Sequence, residues 1–203
     1  MPHLPQLTPT FVGGRLALDF VNIVPADAEL SWNQLIAFLE SARIVTPERG
    51  NELLALNRSD QQAAESLLGK AQQLGTALRL AFDALLHRQK IAREWIEPLN
   101  DVLRVTEGHD ELNYSQGGWE IQFVARESGL EWLLAAVARS AAEIIAEGTQ
   151  ARLRICANPH CGLFFYDTSR THQRRWCSMT LCGNRHKVAA FARRHAAVRH
   201  GRP

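Results

Sequence analysis

Cys156-Ala-Asn-Pro-His-Cys161 and, after fifteen intervening residues, Cys177-Ser-Met-Thr-Leu-Cys182 decide how this chain of 203 residues is read. They contain all four of its cysteines, as two pairs with the same four-residue gap. A tetrahedral metal wants this arrangement. Each pair delivers two thiolates from one tight turn, and the connecting loop folds the second pair back onto the first. Four soft sulfurs with no open position favour one structural Zn2+ over a catalytic ion. Cys156, Cys161, Cys177 and Cys182 are therefore the expected metal ligands. Core cysteines placed at random would not fall into two equally spaced pairs. Two disulfides would need an oxidising compartment. Met1-Pro2-His3-Leu4-Pro5 lacks the charged start and apolar run of a secretory signal, and no apolar stretch is long enough to span a bilayer. The expectation is a cytoplasmic protein without a membrane partner.

The residues around the cysteines complete a small finger. Pro159 stiffens the first turn, and Gly162 lets backbone amides approach the second sulfur. Leu163 to Tyr166 reads as a short strand in which Phe164 and Phe165 alternate, one facing a core and the other the surface. Asp167 to Arg170 has turn chemistry, and Gln173 to Cys177 returns to the metal, with Trp176 packing under it. A helix is expected from Leu181 through Ala197. Its narrow side, Val188, Phe191, His195 and Val198, should pack on the hairpin, and Arg185, His186, Lys187, Arg193 and Arg194 should face outward. Knuckle, hairpin and helix make a treble-clef-like zinc finger with a C-terminal helix.

Charge divides the chain at the same place. From Gln150 onward eleven Lys or Arg face the single acid Asp167, a net +10, and five of the eight histidines lie there too. The residues before it carry twelve basic and twenty acidic side chains, a net −8. A compact basic module held by a metal is a common nucleic-acid footprint. The same charge could instead dock on an acidic protein, or on the acidic half of the chain itself.

Residues 1–149 are long enough to bury their own core. Ser31 caps a helix over the following apolar-periodic residues, and Thr46-Pro47 opens another. Leu67, Leu68, Ala71, Leu74, Leu78, Ala81, Phe82 and Leu85 mark a long helix between about 60 and 89. Further helices are expected over 95–105 and 130–146, with a hairpin around Gly117-Gly118 between them. The fold class is mainly α with a small β-hairpin (α+β), followed by the finger at 150–203. Within Leu16-Ala-Leu-Asp19-Phe-Val-Asn22, an aspartate and an asparagine sit in an apolar run and demand partners if buried. Those partners are either the chain's own polar groups or a ligand.

The run Arg174-Arg175-Trp176-Cys177 to Cys182-Gly183-Asn184-Arg185-His186-Lys187, preceded by Phe165-Tyr166-Asp167-Thr168-Ser169-Arg170, closely resembles the CGNR zinc finger. That resemblance implies the four cysteines as zinc ligands and a DNA-binding module of bacterial transcription regulators. The Leu18-Asp19-Phe20-Val21-Asn22 string, with Leu78-Arg79 and Leu99-Asn100, resembles the ABATE domain, which typically precedes such fingers. Ile23 stands where that family usually has threonine. The resemblance implies a regulatory, ligand-sensing domain linked to stress response. Asp19, Asn22 and Arg79 are its candidate ligand residues.

Together these readings describe a zinc-dependent DNA-binding transcription regulator, not an enzyme. The candidate DNA contacts are Arg170, Arg174, Arg175, Asn184, Arg185, Lys187, Arg193 and Arg194. Asn184 is also expected to brace the metal site. Duplex DNA is the expected partner, with a small-molecule effector and a homodimer as possible additions. RNA or ribosome binding and protein docking are the competing readings. Loss of Cys161 or Cys182 should unfold the finger and largely spare the helicity before residue 150.

Overall fold

A computed structural model describes residues 10–25, 27–105, 108–115, 118–125, 129–189 and 191–192. Among the described residues, six α-helices precede the finger in chain order: α1 (Leu16–Ile23), α2 (Trp32–Ser41), α3 (Pro47–Ser59), α4 (Gln61–Leu86), α5 (Arg93–Val105) and α6 (Ala135–Glu147). Strands β1 (Gly108–Ser115) and β2 (Gly118–Ala125) form the antiparallel hairpin expected between α5 and α6. Strands β3 (Leu153–Ile155) and β4 (Phe164–Tyr166) form a second antiparallel pair. The protein is mainly α with a small hairpin, followed by a finger that ends in a helix. Among the described residues, no helix is long and apolar enough to cross a membrane.

Local chemistry sets several of these boundaries. Ser31 accepts from the Gln34 amide while Gln34 reaches back to the Ser31 amide, a reciprocal cap for α2. Thr46 accepts from the Arg49 amide, and Pro47 occupies the first turn of α3, where its missing N–H costs nothing. Asp60 caps α4 through the Ala63 amide.

Helix α1 lies at the centre. Ala17, Leu18, Phe20 and Val21 are fully buried, and the helix touches α2, α4, α6 and β4. Its sequence shows no clean two-sided periodicity because neighbours cover most of its circumference. Phe20 packs against Phe38 of α2 with ring centroids 5.4 Å apart.

The finger is not a separate bead. Leu153, Phe164 and Tyr166 join the same buried apolar cluster as α1, α2, α4 and α6. Phe165 points the other way, into a second cluster with Cys156, Cys177 and Cys182. The expectation that one of the two phenylalanines would face the surface is therefore corrected. Phe164 is 2 % exposed and Phe165 0 %, because β4 is sandwiched between two cores. Strand β4 pairs with β3, ahead of the first cysteine.

The final helix is described at 184–189 and 191–192. It follows a π-helical turn, Met179–Gly183, in which the Cys182 and Gly183 amides both donate to Ser178 O at 3.0 Å. Val188 is 69 % exposed and Phe191 58 %, where burial against the hairpin was expected. The hairpin's inner face is already filled by Phe165 and the cysteines. Arg193, Arg194, His195 and Val198 lie outside the described residues.

Candidate metal centre and its docking onto the helical domain

The first turn of the site is built by its own backbone. Cys156 N–H donates to Leu163 O at 2.9 Å, and Cys161 N–H to Asn158 O at 2.9 Å, closing a tight loop. Gly162 turns the chain out at φ +65°, a conformation that would strain any side chain with a Cβ. The second pair comes from the π turn. Ser178 Oγ accepts from Leu181 N at 3.3 Å and holds Cys182 on the first turn of the helix.

All four sulfurs lie within 4.8 Å of one another. Cys177 Sγ is 3.7 Å from both Cys161 Sγ and Cys182 Sγ. A disulfide would bring two sulfurs to about 2.05 Å. Four thiolates at about 2.3 Å from one zinc ion would instead be separated by about 3.8 Å, the edge of the tetrahedron. The spacing fits a four-thiolate centre, and these four residues can hold one metal ion.

A cation bound here has to offset the cost of ionising buried thiols. Burial pushes the Cys161 thiol up to about 11, and burial together with neighbouring sulfur raises Cys177 further. A metal cation supplies the positive charge that turns such thiols into thiolates. Burial also opposes ionisation of Cys182, but hydrogen bonds led by that from Asn158 outweigh it and lower its pKa. The donors are Asn158 Nδ2 to Cys182 Sγ and Cys177 N–H to Cys156 Sγ, each at 3.4 Å. The amide bracing a sulfur is thus Asn158, not Asn184, whose side chain is exposed. A short polar side chain enclosed between two ligands was the available signal for it.

In the sequence Asp167 stands out as the one acid of a basic tail and as the start of a turn. It is completely buried and accepts from Ser169 N, Ser169 Oγ and Arg174 N at 3.0, 2.6 and 2.9 Å. Arg154 adds an ion pair at 3.3 Å. Burial alone would raise its pKa, but these donors together hold it below the ordinary carboxylate range. Asp167 therefore organises the loop between β4 and the second cysteine pair.

The candidate nucleic-acid residues divide by what they touch. Arg174 is held inside the finger: Nε donates to Trp176 O at 2.9 Å, a terminal nitrogen donates to Cys177 O, and the guanidinium lies 4.8 Å from the Phe165 ring centre. Arg170, Arg175, Asn184, Arg185 and Lys187 are exposed. Arg175 lies over the Trp176 ring, which packs against the cysteine cluster and meets the His186 ring at a tilt, with centroids 4.7 Å apart.

Asp19, Asn22 and Arg79 gather around α1, where their polar atoms meet main chain. Asp19 Oδ1 accepts from Gly13 N at 2.7 Å, and Gly13 O in turn accepts from Tyr166 N of β4. A Cβ on Gly13 would come within 2.9 Å of the Asp19 backbone nitrogen, so only glycine permits this approach. Burial raises the Asp19 carboxyl to about 6, against the lowering effect of the Gly13 and Val12 amides. Asn22 reads β4 as another strand would: Nδ2 donates to Phe164 O and Oδ1 accepts from Phe164 N, both at 2.9 Å. Arg79 donates to Val21 O and Val24 O at the end of α1 and lies 5.6 Å from the Phe164 ring centre. At the other edge, Arg15 pairs with Glu143 and Glu147 and covers the Tyr166 ring, whose hydroxyl donates to Glu147.

Comparison with known proteins agrees with this division of the sequence. The model of the CGNR zinc finger matches residues 152–195, and the ABATE model, described as "putative stress-induced transcription regulator", matches residues 14–148. No curated protein matches the chain. Since the ABATE match spans more than half of the sequence and the finger follows it directly, this chain belongs to the ABATE family and carries a CGNR zinc finger.

Proposed function

We propose that this protein is a transcription regulator whose finger holds one structural zinc ion and binds duplex DNA. One observation carries the reading. The finger's single acid, Asp167, is fully buried and neutralised from within, while Arg170, Arg175, Arg185 and Lys187 stand on the surface. Its exposed charge is therefore unopposed, whereas ordinary solvated surfaces mix both signs. Such a surface gathers phosphates and releases their counterions. A centre closed by four thiolates leaves no position for a substrate, which supports a structural role for the ion.

Asp19, Asn22 and Arg79 fit a different task from ligand contact. Their hydrogen bonds to Gly13, Phe164 and the end of α1 support a role in seating the finger on the helical domain. One finger spans few base pairs, so specific binding calls for two copies on two half-sites.

The test is selection of bound duplexes from a random DNA pool by the zinc-loaded protein, with an RNA competitor at two salt concentrations. A recovered motif that survives the RNA competitor supports the proposal, and a spaced repeat gives the symmetry of the dimer. Enrichment of neither strand type, or displacement by RNA at both salts, overturns it.

A further inference from the structure

The apolar residues at the start of the final helix point away from the core. Leu181 is 43 % exposed and Val188 69 %. With Thr180, Asn184 and Arg185 they line one open depression of about 500 Å³. Positions 181, 184, 185 and 188 recur at three and four residues, so their side chains form one stripe along the π turn and the helix that continues it. Neither the Asn184 nor the Arg185 side chain has a hydrogen-bond or ion-pair partner among the described residues. The stripe thus offers an amide, a guanidinium and two apolar groups to something outside the chain.

Resting on the DNA-binding reading, we propose that Leu181, Asn184, Arg185 and Val188 are the base-reading face of the finger, with Leu181 and Val188 closing on thymine methyl groups in the major groove. Charge selects the occupant. The neighbouring surface carries Arg175, Arg185 and Lys187, and the one acid of the finger is buried. Two copies of this face would bring like charges together, whereas a polyanion is drawn to it. Phosphate contact alone gives apolar side chains nothing to bury against. Base edges do: guanine offers two acceptors to an arginine, adenine a donor and an acceptor to an asparagine, and thymine a methyl group to an aliphatic side chain. The deep, narrow major groove of A-form RNA excludes such a stripe, and RNA lacks the methyl.

The experiment uses full-length, zinc-loaded protein and three duplexes: the one selected from the random pool, the same duplex with uracil in place of thymine, and a random-sequence duplex. Affinity is measured over a sodium chloride series for the wild type and for Leu181→Gln/Val188→Gln, whose exposed positions and helix-compatible replacements leave the fold intact. The double variant should lose about tenfold on the selected duplex. Its affinity for the random duplex, and the salt slope there, should not change. Uracil should weaken the wild type about threefold to fivefold for each methyl contacted, and leave the double variant unaffected. Equal losses on both duplexes, or a wild type indifferent to uracil, overturns the assignment. Self-association of the wild type that the double variant abolishes in sedimentation gives the face to a second copy and also overturns it. A wild type that binds no duplex defeats the DNA reading itself, and this appears before any variant is compared.

Discussion

Asn158 reaches from the first knuckle to the sulfur of the last ligand, and its other amide atom accepts from His160 N at 3.1 Å. A thiolate stabilised by such a donor binds its metal in a fixed orientation. Asn158→Ala should lower zinc affinity about 10–100-fold, read by competition with a chromophoric chelator, and leave the helical circular dichroism unchanged. Unaltered zinc affinity would reduce the contact to packing. Asp19 makes a prediction of a different kind. Its native carboxyl titrates at about 6, above the ordinary 3.8, because burial disfavours its charge. The folded state therefore holds this proton more tightly than the unfolded state does. Stability from this group is complete below about pH 4, falls as pH rises to about 6, and stays lowered by something on the order of 2–3 kcal/mol above it. Asp19→Asn keeps an oxygen for the Gly13 amide and removes the titration. The difference in urea stability between variant and wild type should accordingly grow between pH 4 and 6 and then level. A difference that is constant across that window would mean that Asp19 titrates as an exposed carboxylate does.

Strand β4 is only three residues long, yet every one of them is buried. Short strands carry little intrinsic stability, so side chains from outside must hold this one. Asn22 supplies both ladder bonds that a neighbouring strand would have made at Phe164. Asn22→Ala strands a backbone donor and an acceptor, and should cost about 2–4 kcal/mol in chemical denaturation. A cost under about 0.5 kcal/mol would show that water replaces the asparagine freely. Parts of this arrangement were legible in the sequence. Ser31 and Thr46-Pro47 announce helix starts because a cap is local chemistry, and the two cysteine pairs announce the centre because tetrahedral geometry constrains spacing. The rest depends on contacts far apart in the chain. Phe164 and Phe165 do alternate as a strand requires, but their sequence does not reveal that the outer face meets α1 and Phe82. Leu153-Arg-Ile is too short to signal a strand before its partner is known. Val188 and Phe191 carry core-like periodicity on a face that the finished finger leaves exposed, since periodicity identifies a stripe and not what covers it.

At the scale of the whole molecule, β4 belongs to two cores, and this changes what metal loss should do. Two domains joined by a linker would melt separately, and removing the ion would unfold the finger alone. Here Phe164, Tyr166 and Leu153 complete the core that contains α1, α4 and α6, while Phe165 on the same strand closes the thiol cluster. The strand keeps its place only while the knuckle between β3 and β4 is closed. Structural zinc contributes about 10–16 kcal/mol to folding in isolated finger peptides, far more than a three-residue hairpin can replace. Releasing β4 withdraws at least one large aromatic from the helical core, a loss comparable to a buried phenylalanine truncation of about 3–5 kcal/mol. At about 2–4 °C for each kcal/mol in a chain of this size, chelation or Cys177→Ser should lower the melting of the α-helical signal by about 6–20 °C. The zinc-loaded protein should melt in one transition, with helical ellipticity and tryptophan fluorescence changing together. Two separated transitions, with the helical one indifferent to chelator, would mean that α1 holds its fold without β4. In that case Asn22 seats the finger without receiving support from it. A joint transition makes the helical domain and the metal centre one cooperative unit, so that a change in α1 is felt at the thiol cluster through β4.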